Sequence, residues 1–184
     1  MSTKTNLETT SLDEFGLNSV GLNSLAEVLG KLGVREFGRI YDCAFLILQH
    51  SPPHRDDWMD LDTSESSLPR LSDLKKTSNK IRVIPLRKSN RNAYSSRITV
   101  GRARNNDVII RSPKISKLHA SFLPDSNLNY KIQDMSSLNG TVLNGKRIKA
   151  KKRVSLSSGD IISFWRYVFE FVSHDEFVSR IHGK

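Results

Sequence analysis

The sequence has little of what a secreted, metal-binding or membrane-spanning chain needs. Its 184 residues include one cysteine, Cys43, which excludes an intramolecular disulfide and cannot by itself form a thiolate metal site. No apolar run approaches the roughly 18 to 20 residues that cross a bilayer. Residues 1–6 do not show the basic and then apolar pattern of a signal peptide. We therefore expect a soluble, cytoplasmic chain with no membrane partner.

The chain also lacks the common patterns of catalysis and cofactor binding. It has no Gly-x-Ser-x-Gly elbow and no glycine loop for nucleotide phosphates. His50 and His54 are four residues apart, but they flank two prolines and have no further ligands nearby in sequence. A hydrolytic triad of Ser116, His119 and Asp134 is not favoured, because no oxyanion motif accompanies it. We predict a protein that is not an enzyme and that uses no cofactor and no metal.

What the chain does have is an uneven positive charge. The net charge is +10, yet residues 1–80 contain 9 basic and 12 acidic side chains, whereas residues 81–184 contain 20 basic and 7 acidic ones. Such a field favours anionic partners, whether a phosphopeptide, a nucleic acid or an acidic protein surface. Charge alone does not choose among the three.

Short apolar segments separated by turn signals predict a mainly β protein, a two-sheet β-sandwich with one short helix before it and one after it. A capping box at Ser24–Glu27 predicts the first helix over residues 24–32, with Gly33 as its C′ residue. A second capping box, Ser173–Glu176, predicts the C-terminal helix. We expect the first helix to pack on the sandwich through a leucine stripe. The stripe consists of Leu22, Leu25, Leu29 and Leu32.

These patterns divide the chain into three parts. Residues 1–39 form a polar tail and an amphipathic helix, residues 40–172 form the sandwich, and residues 173–184 form the C-terminal helix. We predict the first strand over residues 41–49. A long insert at about 50–80 follows it, rich in serine and aspartate, and we interpret it as a solvated excursion between two strands.

Three clusters within the sandwich region resemble the signature of forkhead-associated (FHA) domains. The clusters are Gly101-Arg102, Ser116-Lys117-Leu118-His119 and Asn139-Gly140-Thr141, and their order and gaps match that family. The resemblance covers roughly residues 40–172. It implies an FHA-type two-sheet β-sandwich that binds phosphothreonine peptides through loops at one end.

The resemblance also implies roles for individual residues. Arg102 would contact the phosphate, Ser116 would donate its hydroxyl to a phosphate oxygen, and Lys117 would add an adjacent polar contact. A guanidinium suits this task because its planar fork matches phosphate, and phosphothreonine carries about −1.5 to −2 charges. The other peptide-binding residues implied are Ser137, Leu138, Asn139 and Lys114.

Within that group, Asn139 would hold the peptide backbone, and Ser137 or the backbone of Leu138 would approach the phosphate. Lys114 would select an acidic residue three positions after the phosphothreonine, although a solvated loop lysine remains an alternative. Structural roles fall to two glycines that permit close backbone turns and to a histidine that braces the loops. These three residues are Gly101, Gly140 and His119.

Two features depart from the family pattern. FHA domains usually join their first strands briefly, whereas this chain has the insert at 50–80. The family commonly has a glycine near the end of the strand after the Gly159-Asp160 turn, whereas this chain has Phe164-Trp165. We expect the second departure to change a hairpin and not the phosphate site.

The favoured function is a phosphothreonine-peptide recognition module, a signalling adaptor that is downstream of Ser/Thr kinases. Its partners would be a phosphothreonine-containing protein and a kinase. One alternative is the sensory FHA domain of a larger, for example bacterial, enzyme such as a nucleotide cyclase. Another is a nucleic-acid-binding protein that uses the basic hairpin 146–153. The latter is disfavoured because no aromatic residue interrupts that basic run.

The N-terminal tail suggests self-recognition. Residues 8–14 read Glu-Thr-Thr-Ser-Leu-Asp-Glu and resemble the phosphorylated tails of small actinobacterial FHA regulators. Thr9 and Thr10 are the candidate phosphosites, and Thr10 has Asp13 three residues later, which would suit Lys114. A phosphorylated tail would occupy the domain's own site and exclude other phosphopartners, and the alternative is an ordinary terminal segment with no such role.

Overall fold

The computed structural model describes residues 19–51 and 81–182, and the structural statements below refer to these ranges. They form two β-sheets with a helix at either end of the described chain, which confirms the predicted fold class. Thr9, Thr10 and most of the insert at 50–80 lie outside the described residues. Within those two ranges, no helix is both long enough and apolar enough to span a membrane.

Twelve strands are present in the described ranges. The first sheet contains β1 (Val20–Gly21), β2 (Phe45–His50), β3 (Arg82–Pro85), β8 (Thr141–Leu143), β9 (Lys146–Arg147), β11 (Ile161–Phe164) and β12 (Tyr167–Val172), in the order β1-β3-β2-β12-β11-β8-β9. The second sheet contains β4 (Ile98–Gly101), β5 (Val108–Ile109), β6 (Ala120–Pro124), β7 (Tyr130–Asp134) and β10 (Arg153–Ser155), in the order β10-β7-β6-β4-β5. Strands β4 and β5 run parallel, and the other neighbours are antiparallel.

The main core lies between the two sheets. Side chains of a strand alternate between its two faces, so each sheet turns one apolar face inward. Val100, Phe122, Phe164 and Phe169 are fully buried there. Each such side chain contributes roughly 1.5–3 kcal/mol through burial. This core holds the strand ends that carry the loops described below.

The first helix, α1 (Leu22–Ile40), begins earlier than the sequence predicts. Its N-cap is Gly21, no side chain caps it, and the capping-box prediction at Ser24 is therefore wrong. The reason is the neighbouring strand pairing: Gly21 belongs to β1, and the amide of Leu22 donates to the carbonyl of Ile81 at 3.0 Å. That bond satisfies an amide that a cap would otherwise serve.

Gly33 interrupts α1 as a helix-ending glycine would. Its φ is +76°, and a second helical segment then continues to Ile40. The leucine stripe is correct at Leu25 and Leu29, which are buried, and wrong at Leu32, which is 39% exposed and lies next to the interruption. The second helical segment ends at Ile40 with Tyr41 as its C-cap, and the strand predicted over 41–49 instead begins at Phe45.

The two helices cover the outer face of the first sheet and enclose a second apolar core. The C-terminal helix α2 (His174–His182) follows Ser173, whose hydroxyl accepts the amide of Glu176 at 3.4 Å, as the capping box predicts. Phe177 of α2 stacks on Phe45 of β2, with ring centroids 3.8 Å apart. Phe37 of α1 is buried in the same cluster.

Two hairpins contain residues with positive φ, and they differ in the type of residue that adopts it. Asn144 and Gly145 join β8 to β9 with φ of +49° and +75°, which confirms the predicted tight turn. Trp165 joins β11 to β12 with φ of +57°, so it adopts a backbone that glycine adopts more easily. The strands still pair in register from Phe164 and Tyr167 onward.

Candidate functional site

Three loops meet at one end of the sandwich. Because β4, β6 and β7 are antiparallel neighbours, the end of one strand lies beside the start of the next. The amide of Arg102 donates to the carbonyl of Ser116 at 3.0 Å, and the amide of Met135 donates to the carbonyl of His119 at 2.8 Å. The fold therefore brings together clusters that are far apart in the sequence.

His119 joins two of these loops through its ring. The side chain is 0% exposed, its Nδ1 accepts the amide of Ser116 at 3.3 Å, and its Nε2 lies 3.0 Å from the carbonyl of Gly140. Because Nδ1 accepts a hydrogen bond, the network assigns the ring proton to Nε2, which donates to the carbonyl of Gly140. Burial lowers the pKa of His119, although the bond to Gly140 opposes that effect. The ring is thus a neutral link between the two loops.

The grouping of Ser116, His119 and Asp134 does not form a hydrolytic triad. The hydroxyl of Ser116 accepts the amide of Leu138 at 3.0 Å, and His119 bonds the Ser116 amide instead of its hydroxyl. A nucleophile needs its base within hydrogen-bond reach of the hydroxyl. Each of the three residues instead holds loop backbone or loop hydroxyls.

Asp134 anchors the third loop from inside. Its carboxylate is buried and accepts the amide of Ser137 at 3.0 Å, the hydroxyl of Ser137 at 2.6 Å and the hydroxyl of Thr141 at 2.7 Å. Burial raises the pKa of Asp134, but these bonds more than offset it and leave the pKa below its ordinary value. Both donors of Ser137 therefore point at Asp134, so Ser137 shapes the loop, and sequence reasoning did not anticipate this.

Two further bonds close the site from its outer side. One is the bond from the Leu138 amide to the Ser116 hydroxyl, and the other runs from the Asn139 side-chain amide to the carbonyl of Lys114 at 2.6 Å. Ser116 keeps a hydroxyl proton that has no acceptor among the described residues. The side chain of Leu138 is 83% exposed at the rim.

Gly101 is required by contact between two backbones. A Cβ at this position would collide with the carbonyl oxygen of Lys117 and lie 2.9 Å from the side-chain nitrogen of Asn106. Asn106 was not predicted as a site residue, yet its amide donates to the carbonyls of Ala103 and Lys117 at 2.9 and 2.7 Å. It thereby holds the loop that presents Arg102. The side chains of Arg102 and Lys117 are themselves exposed and form no ion pair with any described residue.

A second buried carboxylate, Asp107, supports the same loop from below. Lys88 pairs with it at 2.8 Å, and the amides of Ser89 and Thr99 both donate to it at 2.8 Å. Burial raises the pKa of Asp107, but Lys88 and the hydrogen bonds lower it to about 2. No motif in the sequence marks this residue, because its partners lie up to 19 positions away.

Within the described ranges, no group of three or more potential metal-ligating side chains occurs. The described part of the chain therefore offers donors for an anion and no cluster for a cation. The predicted site residues Arg102, Ser116, Lys117 and Asn139 all lie around one rim.

The family model for the FHA domain matches residues 98–165. An FHA domain-containing protein of Arabidopsis thaliana is 40% identical over 73 residues, which are 39% of this chain and 19% of that protein. The transcriptional regulatory protein EmbR of Mycobacterium tuberculosis is 35% identical over 72 residues, which are 39% of this chain and 18% of EmbR. The match thus spans less than a fifth of either relative's length.

Among solved structures, the N-terminal FHA domain of Rad53 from Saccharomyces cerevisiae, in complex with a phosphothreonine peptide, is similar at 23% identity with a TM-score of 0.44, covering 56% of this chain and 93% of that one. The segment that the family model matches contains all three motif clusters and the loops that they form. Residues 98–165 therefore match the FHA domain family.

Proposed function

We propose that the domain recognises phosphothreonine peptides and serves as a signalling adaptor downstream of Ser/Thr kinases, without catalysis of its own. The observation that carries this proposal is a pair of donors at the rim that no described residue engages, the guanidinium of Arg102 and the hydroxyl proton of Ser116. The match of residues 98–165 to the FHA domain model supports it.

The loops that carry these donors are already held in place before a ligand binds. His119 joins the Ser116 loop to the Gly140 loop, and Asp134 fixes the intervening turn through Ser137. Preorganised donors lose little freedom on binding, so more of the charge-assisted interaction appears as affinity. Phosphate would thus meet Arg102 and Ser116, with the exposed ammonium of Lys117 beside them.

The remaining contacts follow from the outer bonds of the site. Asn139 holds the backbone of Lys114, so the Lys114 side chain starts from a fixed point and would select an acidic residue of the peptide. The exposed side chain of Leu138 would cover an aliphatic part of the same peptide. The side-chain carbonyl oxygen of Asn139 would accept a hydrogen bond from the peptide backbone.

An oriented phosphothreonine peptide library tests this function, with the matching unphosphorylated and phosphoserine peptides as controls. We expect selective retention of phosphothreonine peptides, and loss of that retention in Arg102→Ala. Equal retention of phosphorylated and unphosphorylated peptides would refute the proposal.

The finer features of the function also remain proposals. We propose that the protein lies in the cytoplasm and consists of three parts, residues 1–39, 40–172 and 173–184. We also propose that it acts in a kinase pathway or as part of a larger protein.

A phosphate on Thr9 or Thr10 would let the tail bind the domain in cis, since residues 8–14 carry three acidic and no basic side chains. Tethering gives an effective concentration of about millimolar order. The check is competition: a Thr10-phosphorylated protein should bind an external phosphopeptide more weakly than the unmodified protein.

A further inference from the structure

The end of the sandwich that carries the loops contains many more basic than acidic side chains. Residues 101–119 and 134–153 contain 11 basic side chains, all exposed, and two acidic ones. Both acids, Asp107 and Asp134, are buried and hydrogen-bonded inside the domain. The 11 cations form no ion pair with any described residue. These positive charges are more than a single phosphate group would neutralise.

One of these cations touches the candidate site directly. A Cβ at Gly140 would collide with Nε of Arg147 and would lie 2.5 Å from its Cζ and 2.6 Å from one terminal nitrogen. The guanidinium of Arg147 therefore lies against the backbone next to Asn139. Its position follows from strand pairing, because Arg147 pairs with Val142 in the β8–β9 hairpin. No described residue accepts a hydrogen bond from this guanidinium.

The turn that follows Arg147 brings further cations to the same rim. The amide of Lys151 donates to the carbonyl of Asp134 at 2.9 Å, and the amide of Lys152 donates to the carbonyl of Lys149 at 3.0 Å. Lys151 has a φ of +64°, an unusual backbone for a residue with a side chain. These bonds hold the turn beside the loop that Asp134 anchors.

We propose that Arg147, Lys149 and Lys151 form an anion-binding subsite that is continuous with the phosphothreonine site. The preferred partner would then be a phosphothreonine peptide with acidic or phosphorylated residues on one side of the phosphothreonine. The inference rests on the proposed function, and it concerns the hairpin side of the site, separated from Lys114 by the loop that contains Asn139. Opposite charges on the peptide would relieve the mutual repulsion of the cations and speed association.

A peptide fits these observations better than a nucleic acid. Single-stranded nucleic acids bind by stacking bases on free aromatic rings as well as by phosphate contacts. At the loop end, Trp165 packs partly into the main core, and the guanidinium of Arg166 lies 5.3 Å from its ring centroid. The exposed Tyr94 likewise has Arg97 over its ring at 5.5 Å. A guanidinium therefore already lies over each of these two rings, and the Trp165 ring also packs against the core.

The test uses one phosphothreonine core in four synthetic peptides, measured by calorimetry with the full chain. One has neutral flanks, one has three glutamates before the phosphothreonine, one has three glutamates after it, and one has a phosphoserine in the better of the two acidic flanks. We expect one acidic flank to raise affinity by about 5- to 10-fold at low salt, with a loss of that gain at high salt. Phosphoserine should raise affinity further than glutamate, because it carries more charge.

Arg147→Gln should remove most of the gain, measured as the ratio of the affinities of the acidic and the neutral peptide for the same variant, so that any change in the binding of the neutral peptide cancels. Arg147→Lys should keep part of the gain, which separates lost charge from a damaged hairpin. The matched control is Arg35→Gln, which removes an exposed arginine of α1 and should leave the gain unchanged.

The outcomes separate the inference from the proposed function. Failure of the neutral phosphopeptide to bind in an Arg102-dependent way would overturn the proposed function, and the subsite with it. Arg102-dependent binding with no gain from either acidic flank, or a gain that survives both Arg147→Gln and the double change Lys149→Gln and Lys151→Gln, would overturn the subsite alone. A single-stranded oligonucleotide that binds more tightly than the acidic phosphopeptide, with the same dependence on Arg147, would also overturn it.

Discussion

The loop end of the sandwich and its helix-covered face use their polar residues in opposite ways. On the helix-covered side, charges meet counter-charges: Arg180 bonds Glu170 at 2.6 Å and Glu176 at 2.7 Å. At the loop end, Arg102 and Arg147 face solvent without a partner among the described residues, while Asp107 and Asp134 are buried beneath them. Arg180 is paired within the chain, whereas we propose that the cations of the loop end bind an anion from outside.

Each side also contains a histidine that bonds a backbone carbonyl. Nδ1 of His174 lies 2.8 Å from the carbonyl of Tyr41 and connects the two helices, whereas His119 connects two loops. The same contact thus supports the apolar packing in one place and presents donors in the other. If this division holds, substitutions on the helix side should change stability, and substitutions at the loop end should change binding.

The largest expected effect is on the helix side. Phe177→Ala removes a fully buried ring that stacks on Phe45, so we expect a loss of about 3–5 kcal/mol in the free energy of unfolding. Urea denaturation measures it. Phosphopeptide affinity, measured at low temperature where the variant remains folded, should stay within about twofold. A large loss of affinity in the folded variant would break the division between the two sides.

Arg102→Ala should have the next largest effect, and on binding alone. Each charge-assisted hydrogen bond contributes roughly 1.5–3 kcal/mol, so the loss of two should weaken phosphopeptide affinity on the order of 100-fold or more. The melting temperature should not change, because the guanidinium is exposed and forms no ion pair with any described residue. Calorimetry with wild type and variant provides the comparison, and equal affinities would contradict the site.

His119→Ala should affect both sides of the comparison. It leaves the buried amide of Ser116 and the carbonyl of Gly140 without their partner, and each unsatisfied group costs about 1–3 kcal/mol. We expect a lower melting temperature together with weaker phosphopeptide binding, since the loops lose their link. An unchanged melting temperature would show that the ring does not brace them.

Acid should reveal the contribution of Asp107. Its pKa is lowered to about 2 in the folded chain from 3.8, so the ionised carboxylate stabilises the fold above pH 4 and this stabilisation is lost as the pH falls towards 2. The difference corresponds to about 2 kcal/mol. The stability gap between wild type and Asp107→Asn should therefore be largest near neutral pH and should narrow between about pH 4 and pH 2. A constant gap across that range would argue against the ion pair with Lys88.

The smallest expected effect is at the C-terminal cap. The hydroxyl of Ser173 accepts the Glu176 amide at 3.4 Å, which is a long hydrogen bond. Ser173→Ala should therefore cost about 0.5 kcal/mol, the low end of the range for N-caps. Phosphopeptide affinity should be unaffected. A loss above about 2 kcal/mol would exceed the usual range of N-cap effects and contradict this small contribution.

Local patterns predicted much of this protein because their causes are local. Strand alternation, the Asn144-Gly145 turn and the Ser173 cap each depend on a few adjacent residues, and the structure contains all three. The predicted start of α1 was wrong because the actual start depends on a contact that is distant in the sequence. Pairing of β1 with β3, some 60 positions away, replaced the Ser24 cap with a backbone bond to Ile81.

The site shows the same limit at the level of single donors. Residue types and spacing sufficed to recognise the three clusters, because their order and gaps resemble the FHA signature. Which donor points outward depends on long-range contacts: both donors of Ser137 are taken by Asp134, and the Ser116 hydroxyl receives the amide of Leu138. Gly140 is needed twice, for its φ of +76° and for the guanidinium of Arg147 that lies against it.

By itself the sequence indicated a two-sheet sandwich, a resemblance to the FHA signature and the sign of the charge around the loops, because these depend on composition and on short motifs. Only the tertiary structure decided that the cations of the 146–153 hairpin lie at the rim of the site, that Asp107 supports the loop of Arg102, and that α1 begins at Leu22. Each of these depends on which groups, distant in the sequence, the folded chain brings within contact or hydrogen-bond reach.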